Sequence, residues 1–135
     1  MPYPISDIQE IGPDAAAILK SDGIRTTGSL LRSAKTPKQR LKIAARVGAD
    51  RKKVLDWVTA ADRMRVRGVG REYSELLRTV GVKTVSELKF RNPEKLVEKM
   101  SNANSDHKLV RVLPSVTTVQ RWIDAAKKLP AIVRY

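Results

Sequence analysis

Residues 66–71 of this 135-residue chain read Val66-Arg67-Gly68-Val69-Gly70-Arg71, a short segment with two glycines around one hydrophobic residue. Glycine permits a tight turn and a close approach of the backbone to a ligand. The segment has a counterpart near the start of the chain, because placing residue 8 on residue 66 superimposes two similar sequences. The aligned pairs are Ile8/Val66, Ile11/Val69, Gly12/Gly70, Ile18/Leu76, Leu19/Leu77, Gly23/Gly81, Ile24/Val82, Thr26/Thr84 and Leu30/Leu88. The sequence therefore predicts two copies of one unit.

A second pattern that occurs twice is an apolar stripe with helical spacing. Its members are Val54, Trp57, Val58, Ala61 and Met64 in one copy, and Val119, Trp122, Ile123, Ala126 and Leu129 in the other. The spacing i, i+3, i+4, i+7, i+10 is that of one face of an amphipathic helix. We expect both tryptophans to lie in the core and the two copies to pack through these stripes and their hairpins.

The second copy is the longer one, and its extra residues lie between Pro93 and Ser115. The polar run at residues 101–106 predicts a loop that holds most of them. We therefore place the first repeat at residues 1–62. The second repeat covers residues 63–135, with a loop insertion and a C-terminal tail.

Helix start and stop signals occur throughout both copies. Pro13 can open a helix and Gly23 can end it, while Thr84 to Glu87 has the form of a capping box. Further start signals are Thr36-Pro37, Asp50, Asn92-Pro93 and Ser115. No strand pattern is evident, so we expect an all-α protein in which the two repeats, of about five short helices each, form one compact unit.

The segment at 66–71, followed by Leu76, Leu77 and then Gly81-Val82-Lys83-Thr84, resembles a helix-hairpin-helix motif. In such a turn, amide groups at the start of the following helix can donate to a phosphate oxygen, assisted by the helix dipole. What the resemblance implies is binding of a nucleic-acid backbone without dependence on base sequence. The resemblance concerns the motif alone, and a shared motif does not by itself establish a function.

Over nearly its whole length the chain is also similar to a family of bacterial proteins defined only as a domain of unknown function and related to helix-hairpin-helix proteins. The segments that carry this resemblance are Ile11-Gly12-Pro13, residues 60–70, Arg91-Asn92-Pro93, residues 108–114, residues 126–130 and Tyr135. The resemblance implies a tandem helix-hairpin-helix fold. It supplies no established activity.

The composition excludes several classes of protein. There are 27 Lys and Arg against 14 Asp and Glu, a formal net charge of +13, with no cysteine and His107 as the single histidine. Disulfides, thiolate zinc sites and histidine-based triads are excluded, and we expect no metal, no cofactor and no catalysis. The longest apolar run, residues 15–19, is far too short to span a membrane. We therefore expect a cytoplasmic protein, associated with the nucleoid if it binds DNA.

The two hairpins differ in charge, which indicates which of them could contact phosphate. Residues 7–14 contain Asp7, Glu10 and Asp14 and no cation, with Glu10 in the place of Gly68. Residues 63–71 contain four arginines and no acid. The candidate phosphate-binding residues of the second hairpin are Arg63, Arg65, Arg67, Gly68, Val69, Gly70 and Arg71. The alternative is that the arginines are solvated and the glycines only permit a turn.

A second basic region covers residues 32–53, with nine Lys and Arg against Asp50. Lys38, Lys42 and Arg46 would form one stripe on a helix, while residues 51–53 would place three cations in a first helical turn, where they oppose the dipole. Cations in so unfavourable a position suggest a role in binding phosphate. The candidates here are Lys38, Lys42, Arg46, Arg51, Lys52 and Lys53, with plain solubility as the alternative.

The sequence thus predicts a non-catalytic protein that binds nucleic-acid backbone, with duplex DNA favoured and RNA possible. The aromatic residues occupy core spacings, which favours backbone contacts over base stacking. The alternative is a helical module that docks an acidic protein or another polyanion such as polyphosphate. Nothing in the sequence fixes the oligomeric state.

Overall fold

The computed structural model of this protein describes residues 3–135, and Met1 and Pro2, with which the first predicted repeat begins, lie outside the described residues. Within the described range the chain forms eight α-helices, a 3₁₀ helix at Ile5–Asp7 and no β-strand. The helices are α1 (Pro13–Ser21), α2 (Thr27–Ser33), α3 (Pro37–Val47), α4 (Arg51–Arg63), α5 (Arg71–Thr79), α6 (Val85–Leu88), α7 (Pro93–His107) and α8 (Val116–Lys128). The all-α prediction is confirmed. The expectation of about five helices per repeat, or about ten in all, exceeds the eight α-helices of the described residues.

Most helices begin at a side chain that accepts a hydrogen bond from the first turn. In residues 3–135, six of the eight α-helices are capped in this way, by Thr26, Thr36, Asp50, Thr84, Asn92 and Ser115. Helices α1 and α5 differ, because they follow Gly12 and Gly70 and have no side-chain cap. Glycine supplies no oxygen that could accept from these amides, which remain available for another acceptor.

The helix pairs that pack together follow the same order in the two halves of the chain. In the first half α1 contacts α3, and α4 contacts α2 and α3. In the second half α5 contacts α7, and α8 contacts α6 and α7. Helix α4 also contacts α5, which connects the halves.

The hydrophobic core consists of two clusters that divide near residue 65 of the chain. The first cluster runs from Ile5 to Met64 and contains Trp57, and the second runs from Val66 to Ala126 and contains Trp122. Both tryptophans are 3% exposed, so their predicted core position is confirmed. The expectation that the two stripes pack against each other is wrong, because each belongs to the core of its own half.

The loop predicted at residues 101–106 is instead the last part of α7. The side chain of Asn104 donates to the carbonyl oxygen of Val110 at 3.1 Å and accepts from its amide at 3.0 Å. Lys108, with a φ of 50°, ends the helix in the left-handed conformation. After Lys108 the chain folds back and bonds to Asn104, a contact with α7 that composition alone does not reveal.

The C-terminal tail returns to the first half of the chain. Ile132 and Val133 pack against the first cluster, and the amide of Arg134 donates to the carbonyl oxygen of Lys35 at 2.8 Å. Arg40 donates to the carbonyl oxygen of Arg134. The tail therefore connects the end of the second half to α3. Among the described residues, no helix is long and apolar enough to cross a membrane.

Candidate nucleic-acid interface

The second hairpin is a tight turn between α4 and α5. The amide of Val69 donates to the carbonyl oxygen of Val66 at 3.0 Å, and both side chains are buried. Gly68 has a φ of 92°, a conformation that L side chains rarely adopt. The two valines therefore anchor the turn in the core, while Gly68 lies exposed at its surface.

The first hairpin has the same hydrogen bond but a different backbone. The amide of Ile11 donates to the carbonyl oxygen of Ile8 at 3.1 Å. Glu10 does not have the positive φ of Gly68, because Lys108 is the one non-glycine residue with a positive φ among those described. The first turn therefore differs in conformation from the second at the position where Glu10 replaces Gly68.

Glu10 contacts the second half of the protein. Its carboxylate lies 3.7 Å from Nε of Arg78, a residue of α5 that also bonds to Glu75. Partial burial, followed by the nearby charge of Glu75, raises the pKa of Glu10. Since the turn carries an acidic residue that faces α5, it offers no cationic surface to a phosphate.

Arg63, predicted to pair with phosphate, is enclosed by the fold, and this prediction is corrected. It is 1% exposed, and its Nε donates to Oγ of Ser74 at 3.0 Å while Nη1 donates to the carbonyl oxygen of Lys83 at 3.1 Å. Burial lowers the pKa of Arg63 to about 10, an effect that the carboxylate of Glu75 opposes. Arg63 holds α4 to α5 and to the segment before α6.

Arg65 is also committed to contacts within the protein, so its predicted role requires correction as well. Its side chain is 14% exposed, and Nη1 donates to Asp62 Oδ1 at 2.9 Å and to the carbonyl oxygen of Pro130 at 2.8 Å. The other carboxylate oxygen of Asp62 accepts from the amide of Val85. The charge of Arg65 is therefore balanced, and its side chain holds the base of the C-terminal tail.

Arg67 and Arg71 are the arginines of the second hairpin that face solvent. Neither forms an ion pair with any other described residue. They lie on either side of Gly68 and Gly70, and Arg71 is the first residue of the uncapped helix α5. The buried Val69 contributes its backbone, not its side chain, to this surface.

A third exposed arginine, which sequence reasoning missed, joins this surface from α8. Arg121 and Thr118 line the same cavity as Arg67 and Gly68, a space of about 520 Å³ whose wall includes Trp122. A possible signal was its helical spacing, since Arg121 directly precedes the buried Trp122 and follows Thr118 by one turn. Sequence alone did not show that α8 lies beside the hairpin.

Tyr73 extends the surface toward the segment after α7. Its ring centroid lies 5.2 Å from that of Trp122, and its hydroxyl donates to the carbonyl oxygen of Val112 at 2.9 Å. Tyr73 also lines a cavity of about 730 Å³, together with Lys108, Arg111 and the acidic Glu72. Together, Arg67, Arg71, Arg121, Lys108 and Arg111, with the turn at 66–70, form what we call the hairpin surface.

The candidate residues of the second basic region are exposed but lie apart from the hairpin surface. Lys38, Lys42 and residues 51–53 face solvent and form no ion pair among the described residues. Arg46 differs, because it bonds to both carboxylate oxygens of Asp22, at 2.9 and 3.1 Å, and this contact raises its pKa. Arg51 starts the 13-residue helix α4 and the hairpin follows its end, so about 20 Å separates the two basic regions along the helix.

Comparison with known proteins identifies the family but adds no activity. Residues 9–129 match the family described as Domain of unknown function (DUF4332). No curated protein and no solved structure gives a significant match. No group of three or more His, Asp or Glu side chains in residues 3–135 is placed to hold a metal ion. The family match covers most of the chain, which therefore belongs to the DUF4332 family.

Proposed function

We propose that this protein binds the backbone of nucleic acid, with duplex DNA favoured, through the hairpin surface and without catalysis or dependence on base sequence. The observation that carries the proposal is the convergence of Arg67 and Arg121 on one cavity beside Gly68. Two cations, Arg67 from the turn and Arg121 from α8, meet there beside an exposed glycine. A location in the cytoplasm, at the nucleoid, belongs to the same proposal.

The tandem helix-hairpin-helix interpretation supports this proposal. Each half contains a turn with one backbone hydrogen bond, between residues 8 and 11 or between residues 66 and 69, and each turn is followed by a helix that starts after a glycine. The order of helix contacts is also the same in both halves. The second unit retains the glycine of the turn, and the first, with Glu10, takes a structural role.

The chemistry of phosphate binding follows from the start of α5. Gly70 offers no side chain to cap the helix, so the amides of its first turn are available as donors, and the dipole adds partial positive charge there. Exposed Arg67 and Arg71 can pair with the same phosphate or its neighbours. Such contacts read the backbone and not the bases, so they are independent of sequence.

The second basic region would act at longer range. Exposed Lys38, Lys42 and residues 51–53 add to the positive potential that attracts a polyanion, an effect that salt screens. Because Arg46 is paired with Asp22, it contributes less to this field. An acidic protein or polyphosphate is the alternative partner for the same charges, and the experiment includes both.

The test is fluorescence anisotropy of a labelled mixed-sequence duplex, with hydroxyl ends, at several salt concentrations. For Arg67→Gln with Arg121→Gln, two phosphate contacts are lost, so the slope of log K against log salt should fall by about 1.8 in magnitude. The matched control is Lys95→Gln with Lys99→Gln, which removes two exposed charges on α7. The control should leave the slope nearly unchanged.

Two outcomes would overturn the proposal. One is an equal loss of slope in both double variants, which would mean that the net charge and not the hairpin surface binds. The other is binding of polyphosphate or a polyglutamate peptide more tightly than the duplex at equal salt, which would favour the docking alternative. A parallel titration with duplex RNA determines which nucleic acid is preferred.

A further inference from the structure

A third cavity lies at the opposite end of α4 from the hairpin surface. It has a volume of about 380 Å³ and is formed by the starts of α3 and α4 together with the end of the tail. The residues that line it are Pro37, Arg40, Arg51, Lys52, Leu55 and Tyr135. Three of the six are cations, and none is acidic.

Arg40 is a buried cation without a carboxylate partner. It is 4% exposed, and Nη1 donates to the carbonyl oxygens of Ala34 and Lys35 at 3.0 and 2.9 Å, while Nη2 donates to that of Arg134. No ion pair joins it to another described residue, and burial lowers its pKa. A guanidinium has five N–H donors, and these bonds use three of those on Arg40, so two have no acceptor among the described residues.

Arg51 and Lys52 add charge at the mouth of this cavity. Both are exposed, and both belong to the first turn of α4, where a cation is unfavourable because it opposes the helix dipole. A bound anion would offset that cost and would also balance the buried charge of Arg40. The electrostatics of the cavity therefore favour a small ligand with a concentrated negative charge, such as a phosphate group.

The remaining lining residues are apolar and aromatic. Leu55 is half-buried, and the exposed Tyr135 presents an aromatic ring beside the cations. Small-ligand sites commonly combine an apolar wall with a few polar groups that fix orientation. A flat ring system against Tyr135 and Leu55 would complete the fit, and the cavity has room for one nucleotide but not for a duplex.

We propose that this cavity binds a nucleoside phosphomonoester, either as a free nucleotide or as the terminal nucleotide of a strand. Arg40, Arg51 and Lys52 would hold the phosphate, while Leu55 and Tyr135 would contact the ring. The site does not depend on the proposed function of the hairpin surface, from which α4 separates it.

The first experiment is isothermal titration calorimetry of the whole protein with adenosine 5′-monophosphate, adenosine and inorganic phosphate as probes. The nucleotide should bind at least tenfold more tightly than either fragment, because only it can use both parts of the cavity. Lys52→Gln and Arg51→Gln should each weaken nucleotide binding about tenfold, the usual effect of losing a contact with a charged group.

The matched control is Lys53→Gln, which removes the neighbouring charge of the same helical turn from a residue that does not line the cavity. It should leave nucleotide binding within about twofold of the unchanged protein. These variants avoid Arg40, whose loss would also release the tail. Equal weakening by Lys53→Gln and Lys52→Gln, or adenosine binding as tightly as the nucleotide, would overturn the proposal.

A second titration distinguishes the two sources of the ligand. A short single-stranded oligonucleotide with a 5′ phosphate is compared with the same strand bearing a 5′ hydroxyl. A preference for the 5′-phosphorylated strand over the 5′-hydroxyl strand that Lys52→Gln removes identifies a strand end, and binding of the free nucleotide without that preference identifies a free nucleotide. If neither strand nor the free nucleotide shows binding that depends on Lys52, the site does not exist, whatever the duplex titration at the hairpin surface shows.

Discussion

The carboxylate of Glu10 lies 3.7 Å from Nε of Arg78, so the first hairpin contacts α5 and therefore the second half of the protein. Arg78 bonds in turn to Glu75, at 2.8 Å between Nη2 and Oε1. Two carboxylates therefore share one partly exposed arginine, with the buried Arg63 behind them. The acidic residue that distinguishes the first turn from the second takes part in the internal structure of the protein.

The replacement Glu10→Gln should stabilise the protein at neutral pH. Burial and the charge of Glu75 raise the pKa of Glu10, so the folded state favours its neutral form, and its contribution to stability falls as the pH rises through that pKa. Glutamine resembles the neutral form at every pH. Urea denaturation should therefore show the variant to be more stable at pH 7, with no difference well below pH 4.5.

The matched variant Glu75→Gln should have the opposite effect. Contacts with Arg78 and Arg63 lower the pKa of Glu75 in spite of its burial, so its charged form favours folding and this contribution is lost on acidification. Destabilisation by both variants at pH 7 would contradict the assignment of opposite signs.

Arg63 and Arg67 should respond differently to the same change. Arg63→Met should lower the free energy of unfolding by about 3 kcal/mol, because it leaves Glu75 short of a buried partner and removes two hydrogen bonds. Arg67→Met alters an exposed side chain and should change stability by less than about 0.5 kcal/mol. Chemical denaturation of both variants checks this. Similar losses in the free energy of unfolding would show that the Arg67 side chain makes stabilising contacts within the protein.

The two glycines of the second hairpin should also differ. Gly68→Ala should cost about 1 to 2 kcal/mol, because its φ of 92° is unfavourable for any residue with a Cβ atom. Gly70→Ala should change stability by less than about 0.5 kcal/mol, since its φ is −94° and the new Cβ would lie an ordinary 3.8 Å from the ring of Tyr3. Thermal denaturation distinguishes the two, and equal effects would mean that the turn relaxes.

Glu72 lies exposed in the first turn of α5, where its charge would oppose a phosphate bound as we propose. Glu72→Gln should therefore tighten duplex binding about twofold to fivefold at low salt, with less effect at high salt. The anisotropy titration measures this directly. Unchanged affinity at every salt concentration would place the phosphate away from the start of α5.

Removal of residues 130–135 should destabilise the protein by about 2 kcal/mol, because it uncovers the first cluster where Ile132 and Val133 pack. It also removes acceptors for Arg40 and Arg65. Arg134→Ala is the control: its backbone makes the contacts with Lys35 and Arg40, and its side chain is exposed, so stability should not change. Equal melting temperatures for the truncated and full chains would show that the tail does not support the core.

Local signals were enough to predict much of the fold. The capping residues, such as Thr36 and Asn92, and the stripe around each tryptophan depend on neighbours within a few positions of the chain, and they occur in the structure as spacing predicts. A helix at residues 101–106 was not predicted, because the bonds between Asn104 and Val110 form only when the chain folds back after α7.

The candidate site was harder to predict than the fold, because it depends on contacts between distant parts of the chain. Arg63 and Arg67 belong to one basic run. However, α5 and the segment before α6 bury Arg63, whereas Arg67 remains exposed. Arg121 joins Arg67 only because α8 packs beside the hairpin. Charge pointed to this region, but the solvent exposure of each arginine is a tertiary property that a linear pattern does not contain.

The returning tail affects the order in which the protein can form during synthesis. Residues 5–64 contain nearly all of the first cluster, and a nascent chain usually begins to fold from its N-terminus. Here Ile132 and Val133 follow the whole second cluster in the chain, so the surface of the first cluster that they cover stays open until the second half has left the ribosome. The first cluster is therefore completed only after the second half has been synthesised.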